Sequence, residues 1–140
     1  MEESDAAVSI ITITTDNLPF TIEAETYTAM SGVEVEPCGD IGGGENVGYI
    51  DTGDWMDYTI TVMTGGTYTA SYRVKGWDGG AQLELMKDGN VLAATGTNTG
   101  DVWATVTSGA FYLPEGTYTV RINVSGGRFN LNWIMFTPLG

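Results

Sequence analysis

Apolar and polar residues alternate with a period of two along most of this chain, the spacing of strands that bury one face. Residues 9–15 (SIITITT) and 20–25 (FTIEAE) open the pattern, and in the second Phe20, Ile22 and Ala24 share one face while Thr21, Glu23 and Glu25 share the other. Residues 33–36 form a short alternating run. Residues 55–63 (WMDYTITVM) put Tyr58, Ile60 and Val62 on a core face and Trp55, Asp57, Thr59 and Thr61 on the opposite one. Residues 67–75 point Tyr68, Ala70, Tyr72 and Val74 inward and Arg73 and Lys75 outward. Residues 81–87 bury Leu83 and Leu85 and expose Gln82 and Glu84. Further strands are predicted at 91–95, 110–113, 117–124 and 129–137.

Turn chemistry separates these runs. Asp16-Asn17-Leu18-Pro19, Gly65-Gly66, Trp77-Asp78-Gly79-Gly80, Asp88-Gly89, Pro114-Glu115-Gly116 and Gly126-Gly127 read as reversals, and Asp88-Gly89 is a strong hairpin signal. Gly66-Thr67-Tyr68-Thr69 recurs as Gly116-Thr117-Tyr118-Thr119, which reads as two equivalent strands rather than a tandem repeat. About ten short strands without helical periodicity predict an all-β, antiparallel β-sandwich of the jelly-roll kind.

Composition narrows the function. The 140 residues suffice for one cored domain, read as a loose leader over 1–8 and a module over 9–140. Eighteen carboxylates against five Lys and Arg give a net charge of -13, which argues against nucleic acid and anionic membranes and favours a neutral ligand. With no histidine, Ser-His-Asp and Cys-His catalysis and His-ligated metals are excluded. Cys38 stands alone and reads as a packed or spare thiol. The loop 38–45 (CGDIGGGE) lacks the Gly-Lys-Ser/Thr ending of a phosphate-binding loop. No apolar run approaches a membrane span, and the opening residues do not read as a signal peptide.

The candidate chemistry concentrates in residues 46–58 (NVGYIDTGDWMDY), where Tyr49, Trp55 and Tyr58 stand among Asp51, Asp54 and Asp57. Aromatic rings stack on the C–H faces of sugars, and carboxylates accept hydrogen bonds from hydroxyls. Tyr58, in phase with Ile60 and Val62, is a core residue by this reading; Tyr49 and Trp55 are ligand candidates.

The IEAE run at 22–25, the NVGYIDTGDW block at 46–55, the FNLNWI run at 129–134 and the Gly-Thr-Tyr-Thr strands together resemble a family 6 carbohydrate-binding module. The resemblance covers nearly everything from residue 20 onward. It implies a β-jelly roll that binds sugar without cleaving it and is carried by a secreted polysaccharide-degrading enzyme. By that resemblance Tyr49 and Trp103 are two walls of a loop-edge cleft and Asn130 its hydrogen-bonding residue. A second site on a sheet face would use Glu36, Trp55 and Glu84. A structural Ca2+ would take Glu23, Glu25 and Asn132, the last standing where the family usually has Asp.

Within the family, residues 38–51 and the acidity most resemble modules of marine bacterial agarases. Agarose chain ends are therefore the expected ligand, with xylan and β-glucan as competitors, bound by a monomer within a larger multidomain enzyme. Two other readings stand beside this one. A small glycoside hydrolase needs two carboxylates about 5–9.5 Å apart, and Glu23 and Glu25 are candidates by count, although by the resemblance they are calcium ligands. A structural or adhesion domain would use its rings as ordinary core and surface.

Overall fold

A computed structural model describes residues 10–13 and 19–140. Thirteen strands among them make two facing sheets. The first sheet runs β1 (Ile10–Ile13), β6 (Trp55–Val62), β12 (Gly116–Gly126), β8 (Gln82–Lys87), β9 (Asn90–Gly96), with β3 (Ala29–Ser31) also on β6. The second runs β10 (Trp103–Thr107), β7 (Gly66–Gly76), β13 (Phe129–Pro138), β5 (Glu45–Gly48), β4 (Glu34–Pro37). There β11 (Phe111–Leu113) also pairs with β7, and β2 (Phe20–Glu23) with β13.

Alternation does what the sequence predicts. Along β6 every second residue is buried, and Tyr58, Ile60 and Val62 are all within the core. Facing them across the sandwich are Tyr72, Val74, Leu131, Ile134 and Phe136. The Tyr58 hydroxyl, 1% exposed as a residue, donates to the Ala24 carbonyl at 2.7 Å, so a polar atom is satisfied inside an apolar layer. Phe111 and Phe136 meet edge-on at 6.4 Å. At Asp88-Gly89 both residues take positive φ, 53° and 79°, which suits a type I′ hairpin between β8 and β9.

Four features depart from the pattern. The strand expected over 20–25 stops at Glu23, and Ala24–Thr26 coil into a short 3-10 turn, so Glu23 and Glu25 do not share a strand face. The loop expected over 38–45 ends earlier, in β5. The sandwich is antiparallel except at β1, which joins β6 in parallel register. In β13 the register slips between Leu131 and Trp133, making Asn132 a bulge residue that keeps both Leu131 and Ile134 pointing inward. The leader read over 1–8 and the turn read at 16–18 lie outside the described residues.

Candidate functional site

The segment between β5 and β6 is built to expose one ring. Tyr49 sits at φ 55°, a left-handed conformation that carries its side chain off the sheet and leaves it 64% exposed. The chain then folds back on itself. Asp54 N–H donates to the Asp51 carbonyl at 3.0 Å, and Asp51 N–H donates to an Asp54 carboxylate oxygen at 2.8 Å. Gly53 N–H reaches the Val124 carbonyl and Gly127 N–H reaches the Thr52 hydroxyl, which ties this turn to the β12–β13 connection. At Gly127 a Cβ would press within 2.8 Å of the Asp51 Cα, so only glycine lets the two loops meet. The carboxylates of the block are thus structural: Asp51 and Asp54 close the turn, and Asp57 is held by Arg121.

Across the gap, β7 ends at Gly76, where any side chain would collide with the Thr97 carbonyl. Thr99 and Asp101 N–H groups both donate to the Gly76 carbonyl, at 3.0 and 2.9 Å. The chain is thereby turned outward, and Trp77, anchored by its N–H to the Arg128 carbonyl at 3.3 Å, is 46% exposed.

Tyr49 and Trp77 line one open cavity of about 440 Å3 together with Asn130, Glu36, Ile50, Asp51 and Arg128. That volume falls in the range of small-molecule sites, roughly 300–1,000 Å3. Asn130 arrives on β13, and Glu36 on β4, where the Asn46 amide donates to its carboxylate at 3.1 Å. Arg128 lies 3.6 Å from Asp51 across the rim. Two exposed rings, an amide and a steadied carboxylate can stack on and hydrogen-bond a hydroxyl-rich ring.

The structure sorts the expected site residues differently from the sequence. Tyr49 and Asn130 meet in the cavity; Trp103 is not among its lining residues. Because loop 97–102 is tied down onto Gly76, Trp103 opens β10 opposite Lys75, two strands from Asn130. Trp77 is the second ring lining the cavity, and the sequence reading had it only as part of a turn. The available signal was a bulky ring directly ahead of Asp-Gly-Gly, where no strand could carry it inward.

The group of Glu36, Trp55 and Glu84 also divides. Trp55 and Glu84 flank Asn123 in register on the first sheet, and Asn123 donates to Glu84 at 3.0 Å. Glu36 belongs to the other sheet and to the Tyr49 cavity. The Trp55 ring is covered: the Arg121 guanidinium lies 3.9 Å from its centre and is fixed by two hydrogen bonds to Asp57, at 2.7 and 3.1 Å.

The expected metal set is partly engaged. The Asn132 amide donates to Asp40 at 3.0 Å, and Asp40 accepts two bonds from Arg73, at 2.9 and 3.0 Å. Those bonds, with Arg73 first, outweigh burial and hold the Asp40 carboxyl down at about 2. Burial raises Glu25 above the usual carboxylate range, and the charges of Glu23 and Glu45 add to this against a backbone hydrogen bond. One Glu25 carboxylate oxygen is buried with no hydrogen-bond partner among the described residues. Cys38 is half-buried, its thiol pushed up by burial, and its sulfur accepts the Asp40 N–H at 3.4 Å.

Comparison with known proteins places this architecture. The model of the family described as Carbohydrate binding module (family 6) matches residues 23–138. The chain is similar to the carbohydrate-binding module of Cellvibrio mixtus lichenase 5A, solved with cellotriose, at 34% identity and TM-score 0.78 over 86% of this chain and 97% of that one. It is similar to the C-terminal module of the marine laminarinase LamC of Zobellia galactanivorans, at 36% identity and TM-score 0.78 over 86% and 99%. A β-1,3-glucan-binding module from Bacillus halodurans matches at 33% identity and TM-score 0.75 over 84% and 94%. Among curated proteins, the clotting factor G alpha subunit of Tachypleus tridentatus is 34% identical over 84% of this chain, and the alpha-agarase of Alteromonas agarilytica 27% over 62%. The chain spans 18% and 6% of their respective lengths.

Proposed function

The chain belongs to family 6 of the carbohydrate-binding modules, and on that premise we propose that its loop-edge cavity binds a neutral β-glucan by stacking a sugar between Tyr49 and Trp77. It is a binding module and not a catalytic domain. The observation that carries the ligand reading is that two exposed rings and the Asn130 amide line one cavity on a strongly acidic protein. Stacking requires apolar C–H faces, the amide and Glu36 suit hydroxyls, and the -13 charge disfavours polyanions. The β-1,3-glucan-binding module, the laminarinase module and the lichenase module solved with cellotriose, at 33–36% identity, support β-glucan ahead of agarose. Agarose is the second reading, supported by the 27% match to the alpha-agarase, and xylan the third. An open cavity with two rings implies modest affinity, on the order of micromolar to millimolar.

This reading includes attachment to a larger secreted polysaccharide-degrading enzyme, which the module would hold at its substrate. It also includes a structural Ca2+. The unpartnered, buried Glu25 oxygen beside Glu23 and Glu45 suits a hard cation, and the Asn132 oxygen remains for it once the amide nitrogen is committed to Asp40. No three carboxylate, Cys or His side chains cluster as a metal site among the described residues, so backbone carbonyls would complete the shell.

Native affinity electrophoresis in laminarin, mixed-linkage β-glucan, hydroxyethyl cellulose, xylan and agarose tests the ligand. Retardation in the β-glucan gels is expected. Retardation in agarose alone would transfer the module to agar, and free migration in every gel would end the binding reading.

A further inference from the structure

The second sheet has two free edges, and they are guarded differently. One is β4, which carries Glu34 and Glu36 and ends at Pro37. Charge and proline are common devices that keep an edge strand from pairing with another chain. The other is β10 (WATVT), which pairs only with β7, over five residues and without a bulge. It has no charge, no proline and no glycine. At the edge of the first sheet, β9 is also uncharged, but Leu92 bulges out of its pairing with β8.

The distribution of charge singles out the same side of the sandwich. Between Asp88 and Glu115 the chain carries one charged residue, Asp101, in a protein of eighteen carboxylates and five Lys and Arg. Those residues build β9, β10 and β11, and Val91, Val102 and Tyr112 are exposed along them. In β10 even the inward-pointing Ala104 and Val106 are half-exposed, whereas their β7 partners Val74 and Tyr72 are fully buried. The outward hydroxyls are already engaged by β7. Thr105 accepts from Arg73 at 3.3 Å, and Thr107 shares a hydrogen bond with Ser71 at 2.8 Å. What β10 has left to offer is backbone, since every second residue of an edge strand leaves its N–H and C=O unpaired.

We propose that β10 pairs with β10 of a second copy of this chain, antiparallel and about a two-fold axis at Thr105. Using all five residues sets Thr105 opposite the partner's Thr105, and Trp103 opposite the partner's Thr107. Two copies at a net charge of -13 repel one another, and an edge without carboxylates is where they can approach. A foreign acidic or basic segment would find no opposite charge on the strand. In its own copy β10 finds a strand of equal length and the same β-branched character. Such a pairing is isologous and joins two second sheets into one. Five residue pairs make a small interface, so the dimer is weak, with a dissociation constant on the order of tens of micromolar to millimolar. The monomer expected from the sequence is then one half of a concentration-dependent dimer with two cavities, able to hold a polysaccharide at two points. That consequence rests on the cavity being the glycan site; the pairing itself does not.

Sedimentation velocity from about 10 μM to about 1 mM, at low salt and at about 0.5 M salt, tests the pairing. Wild type should shift from monomer to dimer as concentration rises, and further at high salt, where mutual repulsion is screened. Thr105→Lys and Thr105→Glu each set like charges face to face and should weaken association at least tenfold. An equimolar mixture of the two should recover it as a heterodimer. Thr107→Lys keeps the Arg73 to Thr105 bond, should also weaken association, and does not depend on the Thr105 variants folding. Wild type that stays monomeric under every condition would leave the edge to some other extended segment and overturn the proposal. Association untouched by the three substitutions, or a mixture no tighter than its components, would overturn it too. Glycan titration below the dimerising concentrations reads the cavity separately, so the two readings fail independently.

Discussion

Two tryptophans on this module have opposite fates. Trp77 projects beyond the end of β7 into an open cavity with nothing stacked on it among the described residues. Trp55 lies on a sheet face, and its ring already carries a guanidinium that is fixed in turn to Asp57. Both rings have neighbouring amides, Asn130 for one and Asn123 for the other, but the Asn123 amide is spent on Glu84. Residue type alone does not make a sugar platform. The ring must face solvent, and its polar neighbours must have hydrogen-bonding capacity left over.

The largest expected effect is on binding at the open site. Tyr49→Ala should weaken glycan binding by at least tenfold in titration calorimetry, because the ring supplies half of the stack. The melting temperature should stay within a few degrees of wild type, since the side chain is 64% exposed. A large thermal loss with unchanged binding would reverse the contrast.

Next comes calcium. Chelator should lower the melting temperature, because an ion that binds only the folded state stabilises it by about 2.7 kcal/mol at a hundred times its dissociation constant. Glu25→Gln should remove that sensitivity. A melting curve indifferent to chelator would take calcium out of the account.

The Asp40 cluster gives a pH signature of similar size. Its carboxyl titrates near 3.8 when unpaired and near 2 in the fold, so its contribution is complete above about pH 4 and is lost as pH falls toward 2. The loss is on the order of 2 kcal/mol. Asp40→Asn should flatten acid denaturation across that window, with a stability cost at neutral pH of about 2–3 kcal/mol for leaving Arg73 without its partner. If wild type and variant lose stability in parallel below pH 4, the cluster is not the source.

The smallest effect is at the covered ring. Arg121→Ala should cost no more than about 1 kcal/mol, since the guanidinium is well exposed, and should shift tryptophan emission by uncovering Trp55. In a Tyr49→Ala background it should restore weak retention in a glucan gel. Emission that changes without any recovered retention would mean that coverage is not what separates the two rings.

Long alternating segments made most of the fold legible. The strands β6, β7, β12 and β13 lie within two or three residues of where the pattern put them, because each buries one face along its whole length. Short elements were legible where they alternate or abut a turn, as at β4 and β11, but others were not. The strand β3 has three residues, all exposed, and the 3-10 turn at Ala24–Thr26 interrupts a run whose apolar spacing still looked like a strand. Parallel pairing of β1 leaves no local mark. At the cavity, the exposure of Tyr49 was legible because glycines and turn residues surround it. Trp77 was not, since its exposure comes from Gly76 packing under the Thr97 carbonyl, a contact twenty-one residues away in sequence. Neither could the pattern assign Glu36 to a sheet, because β4 and β6 look alike in one dimension.

The central claim is that sugar binds at Tyr49 and Trp77 and not on the Trp55 face. Titrating Trp77→Ala and Trp55→Phe with a laminarin-derived oligosaccharide tests it most directly, with melting curves as a fold control. The account predicts that Trp77→Ala loses binding by about tenfold or more while Trp55→Phe binds like wild type. Full binding by Trp77→Ala together with loss in Trp55→Phe would contradict it.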